Sequence, residues 1–187
     1  MLKTVGTSRK IIQNKMNRTL QSVSFDIPSI TVSASVELKN IYSRAANVIG
    51  QIVSRNHRYR DEYIVIGAHF DHLGYGGPGS GSLKPDTTAI HNGANDNASG
   101  TSGLLELAHK LQSDRKLLKR SVLLIGFDAE EKGLLGSKYF VANPTVEKNK
   151  IVTMINMDMI GKMKDSTAII GGIGTSPRFE PLLNSLS

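Results

Sequence analysis

Three short apolar runs constrain the fold of this chain more than any other feature of its sequence. They lie at residues 63–68, 122–126 and 151–157, and helical patterns separate them. A nearly continuous apolar run of this length is typical of a strand that is buried on both faces of a parallel sheet. Strands that alternate with helices pack as a sheet covered by helices on both faces. The sequence therefore predicts a three-layer α/β sandwich.

Two patterns near the start of the chain predict that the sheet is mixed. Residues 30–38 alternate between apolar and polar, residues 46–53 form a further run, and only short connections join these segments to the next strand. Short connections favour antiparallel pairing. We therefore predict a mixed, mostly parallel central sheet, with a last strand at 167–172. Helices are predicted at 8–21, 101–112, 134–141 and 177–186.

Composition excludes several kinds of site. The chain has 187 residues, which suits about one domain with a buried core. It contains no cysteine, so disulfides, thiolate zinc sites and cysteine nucleophiles are excluded. No apolar run approaches the roughly 20 residues that a membrane helix needs, so no membrane span is expected.

The net charge of +7 is concentrated in the first 60 residues, which hold ten basic and two acidic side chains. These charges are scattered, without the aromatic interleaving or the motifs that are typical of nucleic-acid-binding proteins. The pattern favours a solvated face, or a surface packed on a neighbour, and we expect no nucleic-acid partner.

Four candidate metal ligands follow strands or a loop at successive positions along the chain. They are His69, Asp96, Glu131 and Asp158. In α/β sheets, ligands gather at the carboxyl ends of the strands. One imidazole with several carboxylates suits zinc, or manganese or cobalt in its place. Each residue alone has an ordinary explanation, since Asp96 could simply cap the next helix, but the four together indicate a metal site.

Two more carboxylates complete the candidate site. Glu130 precedes Glu131, and adjacent side chains on an extended backbone point in opposite directions. One of the two could hold a metal while the other faces a water or a substrate; a solvated acidic turn is the alternative. Asp71 lies two residues after His69, where its carboxylate could accept the second N–H of the imidazole and orient the ring. The loop at 74–97 is long enough to be functional.

The motifs AHFDHLG, GANDNASG, FDAEEKGLLGS and INMDMIG resemble those of the co-catalytic dizinc aminopeptidases, the family-28 metallopeptidases. The resemblance covers about residues 45–175. It implies a zinc-exopeptidase-like fold, two zinc ions, and removal of the N-terminal residue of a peptide substrate with a free N-terminus by a metal-activated water.

The resemblance also implies a role for each residue. His69 and Asp158 would bind one zinc, Glu131 would bind the other, and Asp96 would bridge the two. Glu130 would be the general base and Asp71 the partner of His69. The peptide bond between Asp96 and Asn97 would be cis.

The N-terminal part of the chain also resembles the family, and the chain departs from the family pattern in one place. The N-terminal part, 1–40, resembles the helix and strand that lead into the catalytic domain after an inserted protease-associated domain, so we predict a catalytic domain at 41–187.

The family also takes a late histidine ligand, and no histidine follows Asp158. We therefore expect one complete and one weakened metal site, an incomplete fragment that is weakly active or inactive, and self-association through an exposed sheet edge. His72 and His91 flank the site. The resemblance also implies export, through a leader upstream.

Three other functions remain open at this stage. A non-enzymatic, metallopeptidase-like binding domain is the main alternative, although every visible position keeps the catalytic residue type, including Glu130. The same scaffold could also act on a C-terminal residue or cyclise an N-terminal glutamine. A nucleic-acid role for the basic N-terminal part is a more distant alternative.

Overall fold

A computed structural model describes residues 6–26, 31, 33–39 and 42–186. The chain divides into two units, residues 1–42 and 43–187. In the first unit, helix α1 spans Arg9–Thr19, and the Ser8 side chain accepts a hydrogen bond from the backbone N–H of Ile11 at 3.3 Å. This cap satisfies one of the free N–H groups at the start of the helix. The helix predicted at 8–21 is confirmed.

The strand predicted at 30–38 is wrong for the residues that the structure describes. Residues 31 and 33–38 are not in a strand, while residues 30 and 32 lie outside the described ranges. Apolar alternation stabilises a strand only when a neighbouring strand pairs with it, and the described part of the first unit contains no other strand.

The second unit contains a four-stranded sheet in the order β1-β3-β2-β4. The strands are β1 Val48–Ile52, β2 Tyr63–His69, β3 Ser121–Phe127 and β4 Ile151–Asn156. Strand β2 is parallel to both β3 and β4, whereas β1 is antiparallel to β3. The mixed, mostly parallel sheet is therefore confirmed.

Helices pack on both faces of this sheet. The helices of the second unit are α2 Ser99–Ser113, α3 Leu135–Ala142 and α4 Phe179–Asn184. Leu104 of α2 is buried against Ile66 and Leu124 on one face. Phe140 of α3 is buried against Val65 and Leu123 on the other. The three-layer architecture is thus confirmed. Within the described ranges, no helix is long and apolar enough to cross a membrane.

The outer strand β4 is much more exposed than its neighbours. Val152, Met154 and Ile155 are 52%, 45% and 54% exposed, whereas β2 and β3 are largely buried. The strand predicted at 167–172 is wrong, because these residues form no strand beside β4 and Ile169 is 94% exposed. A strand is stable only when its backbone groups are paired, and this segment makes just one isolated bridge, between Lys164 and Thr167.

The register of the sheet brings three strand ends to one edge. His69 of β2 pairs with Phe127 of β3, and Gly67 of β2 pairs with Asn156 of β4. Parallel strands in this register deliver the residues that follow them to the same side of the sheet. The segments carrying Glu130 and Asp158 therefore start beside His69.

Candidate metal centre

The side chain of His69 is held in one orientation by the residue two positions later. Its Nδ1 lies 3.1 Å from the backbone carbonyl oxygen of Asp71. A carbonyl oxygen only accepts, so Nδ1 carries the proton and donates it. In the neutral ring, the lone pair is therefore on Nε2.

Nε2 of His69 faces two carboxylates and has no hydrogen-bond partner among the described residues. The side chain is only 3% exposed, and Nε2 is shielded from solvent. It lies 3.3 Å from Oδ1 of Asp96 and 3.4 Å from Oδ1 of Asp158. A buried lone pair that points at two anionic oxygens is unfavourable unless a cation lies between them.

These distances fit a tetrahedral zinc site. Ligand atoms that lie about 2.0–2.2 Å from a tetrahedral ion are roughly 3.3–3.6 Å from one another. The distances from Nε2 of His69 to Asp96 and Asp158, 3.3 and 3.4 Å, fall in that range. The nitrogen and the two oxygens are also the donors that zinc prefers. The residues present therefore fit a zinc ion at this position.

The electrostatics around His69 favour a positive charge on the ring. Burial by itself lowers the pKa of His69, but the carboxylates of Asp158 and Glu130 and the bond to the Asp71 carbonyl outweigh it. The net pKa of His69 lies above its ordinary value. The same field that stabilises a proton on Nε2 stabilises a metal ion there.

Glu130 lies beside this group with an altered acidity. Burial raises the pKa of the Glu130 carboxyl, the nearby His69 lowers it, and the carboxylates of Glu131 and Asp158 raise it further. The net shift is upward, towards the range in which a carboxylate can both accept and return a proton. Glu130 and the candidate ligands His69 and Asp158 also line a cavity of about 340 Å³.

A second group of ligand atoms adjoins the first and consists of His72, Asp96 and Glu131. Nδ1 of His72 lies 2.7 Å from Oε1 of Glu131, a hydrogen bond, and 3.9 Å from Oδ2 of Asp96. The two oxygens of Asp96 therefore face different imidazoles, because its Oδ1 faces His69.

The carboxylate of Asp71 fixes the turn that carries the two glutamates. It accepts hydrogen bonds from the backbone N–H groups of Glu130 at 2.9 Å and Glu131 at 3.2 Å. Gly133, with φ of 99°, lets the chain turn back before α3 begins. Asp71 thus lies beside His69 as predicted, but its carboxylate is 3.7 Å from Nδ1 and the closer contact is with the carbonyl of the same residue.

Asn97 connects the Asp96 turn to the segment that carries Asp158. Its buried side chain donates to the carbonyl of Met157 at 3.0 Å and accepts from the N–H of Met159 at 3.2 Å. These bonds fix the backbone on both sides of Asp158. The Asp96–Asn97 peptide bond is cis, as the sequence resemblance implies.

Comparison with known proteins supplies the family. The model of peptidase family M28 matches residues 47–187, which is most of the chain. The chain belongs to peptidase family M28.

Two curated relatives of this M28 chain agree with that assignment. Aminopeptidase YwaD of Bacillus subtilis is 32% identical over 68% of this chain and 25% of its own length. An aminopeptidase of Pseudomonas aeruginosa is 30% identical over 79% of this chain and 24% of its own length. A solved leucine aminopeptidase precursor from Bacteroides thetaiotaomicron is 27% identical, with a TM-score of 0.48 over 63% of this chain and 42% of that one. This chain spans about a quarter of the length of the curated relatives that it matches.

The candidate ligands that the sequence singled out in this M28 chain lie close together, with one further residue among them. The predicted ligands fall into two groups that share Asp96, with His69 and Asp158 in one and Glu131 in the other. His72 was predicted only to flank the site, yet it contacts Glu131 directly. The sequence signal for His72 was its position directly after Asp71. In the structure, Asp71 contacts the same Glu130–Glu131 turn that His72 contacts.

Proposed function

We propose that this chain carries the zinc site and the general base of an aminopeptidase. His69, Asp96 and Asp158 would hold a zinc ion, and Glu130 would move the proton during hydrolysis of the N-terminal peptide bond of a peptide. Glu131 would be a ligand of a second ion that shares Asp96.

One observation carries the proposal. Nε2 of His69 is buried, has no hydrogen-bond partner among the described residues, and lies 3.3–3.4 Å from one oxygen each of Asp96 and Asp158. Membership of peptidase family M28 supports peptide hydrolysis as the reaction. The names of the relatives support removal of N-terminal residues.

The residues of this chain would divide the chemistry between binding and proton transfer. A bound zinc ion supplies a Lewis acid that polarises a carbonyl and lowers the pKa of a water. Glu130 accepts the proton of the attacking water and donates it to the amine that leaves. The raised pKa of Glu130 suits both steps, since a base with a very low pKa would hold the proton too weakly. Asp71 holds Glu130 in place through the backbone N–H.

Substitution of Glu130 tests the assignment of the base. Glu130→Gln keeps the size of the side chain and removes the proton acceptor. We expect the wild-type chain to hydrolyse aminoacyl p-nitroanilides weakly and in a zinc-dependent way. In Glu130→Gln, we expect the rate of this hydrolysis to fall by roughly 10²–10⁴-fold or to background. The zinc content, measured by elemental analysis, should not change.

Two results would count against this assignment. Loss of zinc from Glu130→Gln would mean that Glu130 is a ligand rather than the base. Unchanged turnover would remove Glu130 from the mechanism. Glu106→Gln, on α2, is the matched control and should alter neither measurement.

A further inference from the structure

The parallel strands β2, β3 and β4 begin at the edge of the sheet opposite the candidate metal centre. Tyr63, the first residue of β2, pairs with Ser121 of β3 and with Ile151 of β4, so the segments that precede these strands lie side by side. We call these segments, residues 54–62, 114–120 and 147–150, the basic edge. We propose that the basic edge is a docking surface for an anionic lipid membrane.

The basic edge carries a large excess of positive charge. Its three segments hold nine lysines and arginines against four acidic residues, which gives a net charge of +5. Like charges gathered on one surface favour an anionic partner. Several of the basic side chains are exposed and form no ion pair with a carboxylate of the described residues: Arg55, Arg58, Lys116, Lys119 and Lys148.

Buried serines hold two of these segments against each other. The backbone N–H of Ser54 donates to Oγ of Ser121 at 3.0 Å, and Oγ of Ser54 donates to the backbone carbonyl of Lys119 at 3.1 Å. Both serines are almost completely buried. Arg120 also pairs with Glu62 at 2.6 Å. The surface is therefore preformed, and a partner that binds it does not have to order the backbone first.

An exposed leucine gives the basic edge an apolar point among its charges. Leu117 is 72% exposed and ends the short 3-10 helix Arg115–Leu117, whereas the next residue, Leu118, packs against the core. Lys116 and Lys119 lie on either side of it in the sequence. An apolar side chain flanked by bases fits the boundary between lipid headgroups and acyl chains. There the leucine leaves water while the bases stay near the phosphates.

The surroundings of Tyr59 argue against a single-stranded nucleic acid as the partner. Such nucleic acids bind basic surfaces through aromatic rings on which their bases stack. Tyr59 is the only Tyr, Phe or Trp in the three segments. The guanidinium carbons of Arg58 and Arg120 each lie 5.1 Å from the centre of its ring. The chain's own arginines thus occupy this ring, and a lipid surface needs no stacking platform.

Docking through the basic edge leaves the candidate metal centre accessible. Tyr63 begins β2 and His69 ends it, so the strand separates the two ends of the sheet by roughly 20 Å. A chain that rests on a bilayer by the basic edge therefore holds His69 on the side that faces the solution. The inference goes beyond the proposed function and does not depend on zinc.

The experiment measures sedimentation of the full chain with vesicles of phosphatidylcholine, with and without phosphatidylglycerol. We expect binding only to the vesicles that contain phosphatidylglycerol, and weaker binding as the salt concentration rises. The double variant Lys116→Glu/Lys119→Glu should bind these vesicles roughly 20–30-fold or more weakly, because each base near an anionic surface contributes to the affinity. Circular dichroism verifies that the variant is folded.

The matched control makes the same change of charge at the opposite edge. Lys162→Glu/Lys164→Glu alters two exposed lysines that follow Asp158. We expect its affinity for the vesicles to fall by less than about threefold, since these charges lie more than a Debye length from the membrane. No binding of the folded wild-type chain to anionic vesicles, or an equal loss in both double variants, would overturn the proposal.

A fluorescent reporter separates a membrane from other polyanions. The chain contains no tryptophan, so Leu117→Trp introduces a single emitting indole. We expect its emission to shift to shorter wavelength when phosphatidylglycerol vesicles are added, because the ring leaves water. Bound vesicles without this shift would overturn the membrane assignment. If a DNA duplex then binds the wild type but not Lys116→Glu/Lys119→Glu, the partner is a nucleic acid instead.

Discussion

At the residue scale, the ring of His69 is held at Nδ1 by the backbone carbonyl of Asp71, so that only Nε2 is free to bind a cation. Two carboxylate oxygens lie within 3.4 Å of that nitrogen. In the zinc-free chain a proton occupies this position more readily than in a free histidine, because Asp158 and Glu130 offset the effect of burial. Protons and zinc therefore compete for the same atom.

Substitution of Asp158 tests this account of the electrostatics. The pKa of His69 is raised in the folded chain, so the protonated ring stabilises the folded, zinc-free chain at pH values below the ordinary pKa of histidine. This stabilisation is lost as the pH rises through the pKa that His69 has in the folded chain. Asp158→Asn removes the largest of the attractions that raise the pKa of His69, so we expect that pKa to fall. NMR titration of the ring measures it; a pKa that stays the same or rises would contradict the account.

Sequence reasoning selected candidate ligands that the structure brings together, but it did not predict all of their contacts. His69, Asp96, Glu131 and Asp158 were predictable because their residue types match zinc chemistry at the ends of buried strands. The contact of His72 with Glu131 depends on two segments that meet in space, at residues 71–73 and 128–133, and neither segment determines it alone. For the same reason, the carboxylate of Asp71 was assigned to His69, whereas it binds the N–H groups of Glu130 and Glu131.

At the element scale, helix α2 joins the site to the core of one sheet face. Thr101 in its first turn donates a hydrogen bond to the backbone carbonyl of His69 at 3.0 Å. One turn later, Leu104 is buried against Ile66 and Leu124. Packing of Leu104 therefore fixes the helix that follows the segment carrying Asp96 and Asn97.

A pair of adjacent leucines tests the contribution of this packing. Leu104 is 7% exposed, whereas Leu105 is 67% exposed on the same helix. We expect Leu104→Ala to lower the free energy of unfolding by about 2–5 kcal/mol, because it leaves a cavity under the helix. Leu105→Ala should change it by less than about 1 kcal/mol. Urea denaturation of both variants measures the difference, and equal losses would contradict the described packing.

The strands that the sequence predicted correctly are those whose partners lie in the same sheet. The apolar runs at 63–68, 122–126 and 151–157 correspond to β2, β3 and β4, since each pairs with a described neighbour. The patterns at 30–38 and 167–172 also looked like strands. Their described residues have no strand beside them, and pattern alone cannot supply the missing hydrogen bonds.

At the scale of the whole molecule, strand β4 presents an open edge and exposed apolar side chains. Val152, Met154 and Ile155 are each about half exposed, and no described strand pairs with the outer edge of β4. Open edges with apolar side chains favour pairing between chains.

A charge on this edge should therefore reduce self-association. We expect the chain to form concentration-dependent oligomers in sedimentation velocity, and Val152→Lys to shift it towards the monomer. Val141→Lys is the matched control, because Val141 is 60% exposed but lies on α3, away from the edge. A wild-type chain that stays monomeric, or an equal effect of both variants, would contradict this prediction.

We propose above that a zinc ion lies between His69, Asp96 and Asp158. Anomalous diffraction at the zinc edge from crystals of the zinc-loaded chain tests it most directly. The account predicts an anomalous peak about 2.0–2.1 Å from Nε2 of His69, within bonding distance of both carboxylates. A zinc-loaded crystal whose anomalous peaks all lie away from His69 would contradict it.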